Sequence, residues 1–397
     1  MEKTGVLPQG VNFFSFRGAY VGGIDQKYNS GSQLYNQGDL YSTSFDIQEL
    51  KNFATPKNAE RLNQLTDLLN GLSTDNVGDR VSSGTLKFHA EAELKYVAPI
   101  YARGITSHWT LGIAVPIINF QARGTVTQTG SNIEQIKKEY QSLYDYNQDF
   151  RDGLNELSDM KTQFNKALQE KGYDPIGETH KKNDTFIGDI QILNLYDLGH
   201  AQGWAGTLKF VTVLPTGPQD NPDDLLDLSN QHQTALGLGY IQDLKLWPRW
   251  VMGSSVNGLM RLPDNIEKRV PTSRNDKLPG PETKEGLRRD LGDQVSVAAN
   301  LRYQLLTSLE VGGGYELGSK EEDKYSGSRG YDYSLLGEST YQSWQKIIIS
   351  MEYSSVNDFL SGAASMPMGV SYDYSDVVAG INIERQQVHE LNIKVYF

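Results

Sequence analysis

The sequence predicts an all-β fold: a transmembrane antiparallel up-and-down β-barrel of about 12 strands, with 14 as the alternative count. Three observations predict it. Segment after segment alternates apolar and polar residues, the period of a strand with one face of each kind. Tight turns alternate with long polar links. Tryptophans stand beside the proposed turns, where an interfacial belt would lie. A soluble sandwich shares the alternation. The barrel is favoured because the polar faces carry charge at successive positions, while the apolar faces hold Ala, Gly and Tyr beside aliphatic residues.

Composition sets the bounds. A chain of 397 residues suggests two or three domains, but a large barrel can use them all, so 1–397 reads as one barrel. There are no cysteines, which excludes disulfides, thiolate metal sites and cysteine nucleophiles. A net charge of -12 argues against a nucleic-acid partner, which needs clustered Lys and Arg. No run approaches the ~18 apolar residues of a transmembrane helix. No signal peptide is visible, so Met1-Glu2-Lys3 reads as the start of a mature chain whose export signal has been removed.

The strands follow in order. "VNFFSFRGAY" (11–20) opens the barrel. "LKFHAEAELKY" (86–96) sets Leu86, Phe88, Ala90, Ala92, Leu94 and Tyr96 against Lys87, His89, Glu91, Glu93 and Lys95. "QVSVAANLRYQ" opposes Val295, Val297, Ala299, Leu301 and Tyr303 to Asn300 and Arg302. "SLEVGGGYELG" opposes Leu309, Val311, Tyr315 and Leu317 to Glu310 and Glu316. "KIIISMEY" and "DVVAGINIE" repeat the pattern. The chain closes on "HELNIKVYF", with Leu391, Ile393, Val395 and Phe397 on one face. Tight turns are expected at 104–107, 199–203, 246–250, 305–308 and 341–344. Long links are expected at 24–82, 129–185, 218–232, 263–291, 319–331 and 354–370. A literal count reaches thirteen strands, yet a barrel with both ends in the periplasm needs an even number. Residues 370–397 hold the ambiguity, as one extended region or two strands bent near Arg385-Gln386.

Two features follow from this placement. The charges Lys87, His89, Glu91, Glu93, Lys95, Arg302, Glu310 and Glu316 face the lumen, and pair there with Lys209, Lys346 and Glu352 nearby. A barrel this small is largely filled by such side chains. Trp109, Trp204, Trp247, Trp250 and Trp344 form the aromatic girdle.

Helical periodicity interrupts the strands twice. Residues 131–172 repeat Ile133, Ile136, Tyr140, Leu143, Phe150, Leu154, Leu157, Phe164 and Leu168 at helical steps, with Ser131 and Glu134 as a capping box. One helix there would run about 60 Å. Asp152-Gly153 would instead fold it into a hairpin. Its apolar stripe needs a partner, either its own barrel's rim or a second copy. A shorter loop helix spans 56–72. The acidic stretch "GPQDNPDDLLDL" (217–228) lacks calcium-loop spacing and reads first as a solvated loop, with a calcium site as the alternative. The Pro- and charge-rich stretch 271–290 reads as mobile and exposed.

Motifs for chemistry are missing. His89, Glu91 and Glu93 share a face that could take a metal, but Lys87 and Lys95 flank them and make an ion-pair network the better reading. "GSSVNG" (253–258) is no nucleophile elbow, and there is no Walker loop, dinucleotide fingerprint or zinc motif. A non-enzymatic chain without a catalytic residue, cofactor or resident metal is expected.

Resemblances sharpen the expectation. "LNIKVYF" resembles the C-terminal signature of Gram-negative outer-membrane barrels, which implies that Leu391, Ile393, Val395 and Phe397 signal to the barrel-assembly machinery. "GDIQILNLYDL" and "WAGTLKFVTVLPTGPQDN" resemble barrels of the MetA-pathway phenol-degradation type and, more loosely, FadL-like transporters. FadL-like barrels carry an N-terminal plug longer than the ten residues that precede "VNFFSFRGAY". "LPQGVNFFSFR" and the helical insertion resemble PopA-type predatory outer-membrane proteins of Bdellovibrio-like bacteria, which implies rings of barrels enclosing lipid. The expected function is a homo-oligomer in the bacterial outer membrane that encloses or organises phospholipid or lipopolysaccharide. The alternative is a porin-like or FadL-like channel for passive uptake of small or hydrophobic solutes. Deleting Phe397 should impair membrane assembly and leave synthesis intact; normal yields of heat-modifiable barrel would refute that.

Overall fold

The protein is seen in a computed structural model that describes residues 1–47, 56–72, 75–174, 180–225, 227 and 232–397. It forms two compact units. The first holds residues 1–35, 92–122 and 182–397, and the second holds 36–91 and 123–181.

The first unit is a closed antiparallel barrel of twelve strands. They are β1 (Asn12–Gly22), β2 (Ser82–Thr106, of which residues 92–106 belong to this unit), β3 (Trp109–Ala114), β4 (Ile190–Ala201), β5 (Trp204–Leu214) and β6 (Ala235–Trp247). The circuit continues with β7 (Trp250–Arg261), β8 (Gln294–Gln304), β9 (Leu309–Lys320), β10 (Gln342–Ser354), β11 (Met368–Ile381) and β12 (Gln387–Tyr396). Each strand pairs with its sequence neighbours. β1 pairs with both β12 and β2, and that closes the circuit. Phe397 adds a last rung: its carbonyl accepts from Asn12 N at 2.7 Å and its N–H donates to Asn12 O at 3.0 Å. Residues 370–397 resolve into two strands, β11 and β12, not one extended region.

The start of β1, Phe397 and the turns 107–108, 202–203, 248–249 and 305–308 lie at one end of the barrel. Two connections differ from the sequence reading. The link 354–370 belongs to this same end, where Ser355 ties it down: its hydroxyl accepts from Met368 N at 3.0 Å and donates to Met366 O at 2.8 Å. The expected turn 341–344 is instead the start of β10, at the opposite end. Polarity and length do not say which end a connection occupies; only the up-down order of all twelve strands does.

The links 262–293 and 321–341 are built, not loose. Asp264–Arg269, Lys284–Asp290 and Lys324–Ser326 form a three-stranded sheet over buried Ile266, Val270 and Leu287. Arg289, only 2% exposed at its side chain, grips Asp264 with two hydrogen bonds of 2.9 and 2.6 Å. Glu285 accepts from Ser328 N at 2.6 Å and Arg329 N at 3.0 Å, which pins one link to the other. The acidic stretch is drawn into this sheet: Asp223 meets Arg269 at 2.8 Å and Lys284 at 3.0 Å. Burial pushes the Asp223 carboxyl up, but those two cations outweigh it and hold it below the usual range.

The second unit contains α1 (Pro56–Leu72), α2 (Ile133–Glu139), α3 (Gln141–Tyr146), α4 (Gln148–Ser158) and α5 (Met160–Glu170). Neither the long helix nor the Asp152-Gly153 hairpin forms. Breaks fall at Tyr140, Asn147 and Asp159. Asn147 and Asp159 explain two of them, because their carbonyl and carboxylate oxygens accept from Phe150 N at 3.0 Å and Thr162 N at 3.1 Å and start new helices. Gly153 sits inside α4, where a Cβ would lie 3.6 Å from the Leu65 side chain of α1. The apolar stripe finds partners within its own unit: α4 packs on α1, α2 and α3, with Leu69, Ile133, Phe150 and Leu154 essentially sealed from solvent.

A candidate channel lumen occupied by the N-terminal segment

Inward faces of the barrel are set by the two-residue period. On β8, Val295, Val297 and Leu301 are exposed outside, while Asn300 and Arg302 point in. On β12, Leu391 and Ile393 are exposed, while Glu390, Asn392 and Lys394 point in. The lumen therefore collects charges. Arg302, 4% exposed, forms a close ion pair with Asp243 of β6 and lies 3.9 Å from Glu310 of β9. Lys346 meets Glu316 at 2.9 Å, Lys394 meets Glu352 at 2.9 Å, and Arg17 meets Glu390 at 3.2 Å.

Residues 1–7 run through this charged space. Lys3 Nζ lies between Glu310 at 2.6 Å and Glu352 at 2.7 Å. Glu2 pairs closely with Lys209 of β5 and accepts from Asn257 Nδ2 of β7 at 3.0 Å. Thr4 donates its N–H and hydroxyl to Asp243 at 3.2 and 2.8 Å. Gly5 N donates to Thr207 Oγ1 at 2.9 Å, and Leu7 N to Thr110 Oγ1 at 2.7 Å. Two wall glycines make the passage possible. A Cβ on Gly312 would come within 2.5 Å of Met1 Cε, and one on Gly104 within 2.1 Å of Pro8 O. A cavity of about 740 Å³ remains beside the segment, lined in part by Ile241, Asn257, Asn300, Glu316 and Lys394.

Of the charges read from the sequence as lumenal, the structure places Arg302, Glu310 and Glu316 in the lumen, the first two within 3.9 Å of one another and Glu316 apart from them against Lys346. It corrects the other five. Lys87, His89 and Glu91 belong to the second unit. Glu93 and Lys95 lie 3.6 Å apart and half exposed, with Lys95 over the outward Tyr20 ring, while the neighbouring Tyr96 points in and donates to Glu390 at 2.7 Å. The cause is length. β2 has 25 residues, where a membrane strand needs about ten. Only residues 94–103 of it pair with β1, so Lys87, His89 and Glu91 fall outside that pairing.

Trp109, Trp247 and Trp250 are exposed at the turn end, and Trp204 begins β5 there. Trp250 also packs on Tyr303, ring centroids 4.6 Å apart. Trp344 departs from this set. It points into the lumen at the other end, where its indole donates to Glu316 at 2.8 Å over Gly318. Leu391, Ile393 and Phe397 are exposed on the outward face of the last strand, with Val395 between them in the same alternation. The sequence reading missed the lumenal segment, Asp243, and Asp373, which accepts from the Met1 ammonium at 3.0 Å. Glu2 and Lys3 offered the one signal, two opposite charges just before the first strand.

Asp243→Asn should leave Arg302 buried with only the distant Glu310. A cost of about 3 kcal/mol is expected, the scale for breaking a buried pair. It would be read as a lower midpoint of heat-induced unfolding on gels; an unchanged midpoint would contradict it.

No family model matches the chain, and no curated protein matches it. Solved structures do. An outer-membrane channel from Pseudomonas putida F1 aligns over 99% of this chain and 97% of its own, with a TM-score of 0.53 and 10% identity. A FadL homologue from Pseudomonas aeruginosa and the toluene transporter TbuX of Ralstonia pickettii each align over 98% of this chain and 90% of theirs, at 8% identity and a TM-score of 0.35, too loose to argue from. The fold is a closed antiparallel twelve-stranded barrel like that of outer-membrane proteins.

Proposed function

We propose that this chain is a non-enzymatic channel of the bacterial outer membrane, exported with a signal that is then removed. It passes small water-soluble solutes passively and is held shut in this conformation by residues 2–7. The observation that carries the reading is the lumen. It carries paired charges on β5, β6, β8 to β12 and β1, beside an uncharged strip formed by Ile100, Leu193 and Leu195 of β2 and β4, and what fills it is a segment outside every strand. Charge-assisted hydrogen bonds and ion pairs hold that segment, and each contributes on the order of 1–3 kcal/mol net. Contacts of that size can be exchanged without unfolding the wall. The ion pairs along most of the wall support polar solutes over hydrophobic ones, and Ile100, Leu193 and Leu195 leave one apolar strip beside them.

Lys3→Glu tests this. It sets a third carboxylate against Glu310 and Glu352 and should expel the segment. In planar bilayers the wild-type chain should show little steady conductance and the variant several-fold more. Equal, low conductance in both would contradict the channel reading.

A second reading, self-association with lipid held between copies, draws support from Ala299 and Gly313. Both are exposed on the adjacent strands β8 and β9, where a neighbouring wall could approach closely. The helical stripe that first motivated it is buried within its own unit. A native mass of several chains with retained phospholipid or lipopolysaccharide would favour this reading; one chain plus detergent would end it.

A further inference from the structure

We infer that the lumen wall is a binding track for short extended peptides that carry a cationic side chain, and that residues 2–7 occupy it as an internal surrogate. The inference rests on the channel reading and names its ligand class.

Main-chain recognition comes first. Three N–H groups of the segment, from Thr4, Gly5 and Leu7, donate to wall side chains on three strands: Asp243 of β6, Thr207 of β5 and Thr110 of β3. These contacts read a peptide backbone and not the identity of its side chains, so any extended peptide could make them. A plug needed only for bulk would have no reason to be gripped by its amides.

Charge supplies the selectivity. One ammonium, that of Lys3, sits between two wall carboxylates at 2.6 and 2.7 Å. Those carboxylates stand on adjacent strands, opposite one another in register at Glu310 and Glu352. Like charges placed directly across a strand pair repel, and a shared cation removes the repulsion. Lys394 and Arg302 each reach only one of the two, so Lys3 is the cation that bridges them. The opposite preference lies nearby: Lys209 and Asn257 hold the Glu2 carboxylate. A small peptide with a basic residue and a carboxylate matches both.

Room completes the argument. The cavity of about 740 Å³ runs along residues 1–7, so an incoming peptide has space to engage before the segment leaves.

The test uses the full-length chain with Lys3→Glu and a labelled synthetic peptide of sequence Glu-Lys-Thr-Gly-Val-Leu. Fluorescence anisotropy in detergent should show binding to the variant at least roughly tenfold tighter than to the wild type, whose own segment competes. The same peptide with its Lys replaced by Glu should bind at least roughly tenfold more weakly. Equal binding of the two peptides, or no binding by either, overturns the inference. If Lys3→Glu does not assemble, Lys3→Ala removes the tether without adding a like charge, and the same comparison applies. Conductance separates this from the channel reading. A variant that conducts but ignores the peptide refutes the track alone. A variant that binds the lysyl peptide yet stays closed supports the track and refutes the channel.

Discussion

The structure depends on one constraint: in hydrocarbon no water can satisfy a backbone N–H or C=O, so a sheet that crosses a membrane must close on itself. Closure here is done by β1, which finds β12 on one edge and β2 on the other. The rung between Asn12 and Phe397 completes it at the chain ends. Because the apolar faces must meet lipid, the polar faces are forced inward, and a lumen of fixed charges is the result. Those charges then need partners of their own. Arg302 with Asp243, and Lys394 with Glu352, supply some across the wall. Residues 2 and 3 supply others by pairing with Lys209, Glu310 and Glu352. The occupied lumen is thus a consequence of closure, and any channel activity has to be understood as an exchange of those partners.

The same reasoning explains the structured links. The sheet made by Asp264–Arg269, Lys284–Asp290 and Lys324–Ser326 has its own small core and pairs its charges internally. Asp223 is held ionised there by Arg269 and Lys284. That contribution is present above the ordinary carboxylate range and fades as the pH falls through the lowered value. The second unit solves its own problem by burying the helical stripe among α1 to α4.

Much of the barrel was legible because strand period is a local property. Val295 to Leu301, Ile349 to Tyr353 and Leu391 to Ile393 face outward as the alternation required. Non-local properties were not legible. The run from Lys87 to Lys95 alternates as cleanly as any barrel strand, but nothing local says how much of a 25-residue strand the membrane uses. Trp344 sits at a strand end like the other tryptophans, yet it turns inward because Glu316 offers a hydrogen bond there. Asn147 and Asp159 broke a continuous apolar stripe into separate helices, a capping choice that periodicity ignores. The lumenal segment was hardest to see. Seven residues without a repeat carry no pattern, and their partners come from strands as far apart in sequence as Thr110 and Glu352.

The central claim is that residues 2–7 lie in the lumen and close it. The chain has no native cysteine, so a single engineered pair is unambiguous. Thr4→Cys with Asp243→Cys places the two thiols where the segment meets β6. Oxidation of the folded protein in bilayers should form an intramolecular disulfide that holds conductance at its low level, and a reductant should release it. A pair that stays reduced under oxidant, or a cross-linked chain that conducts freely, would contradict the account.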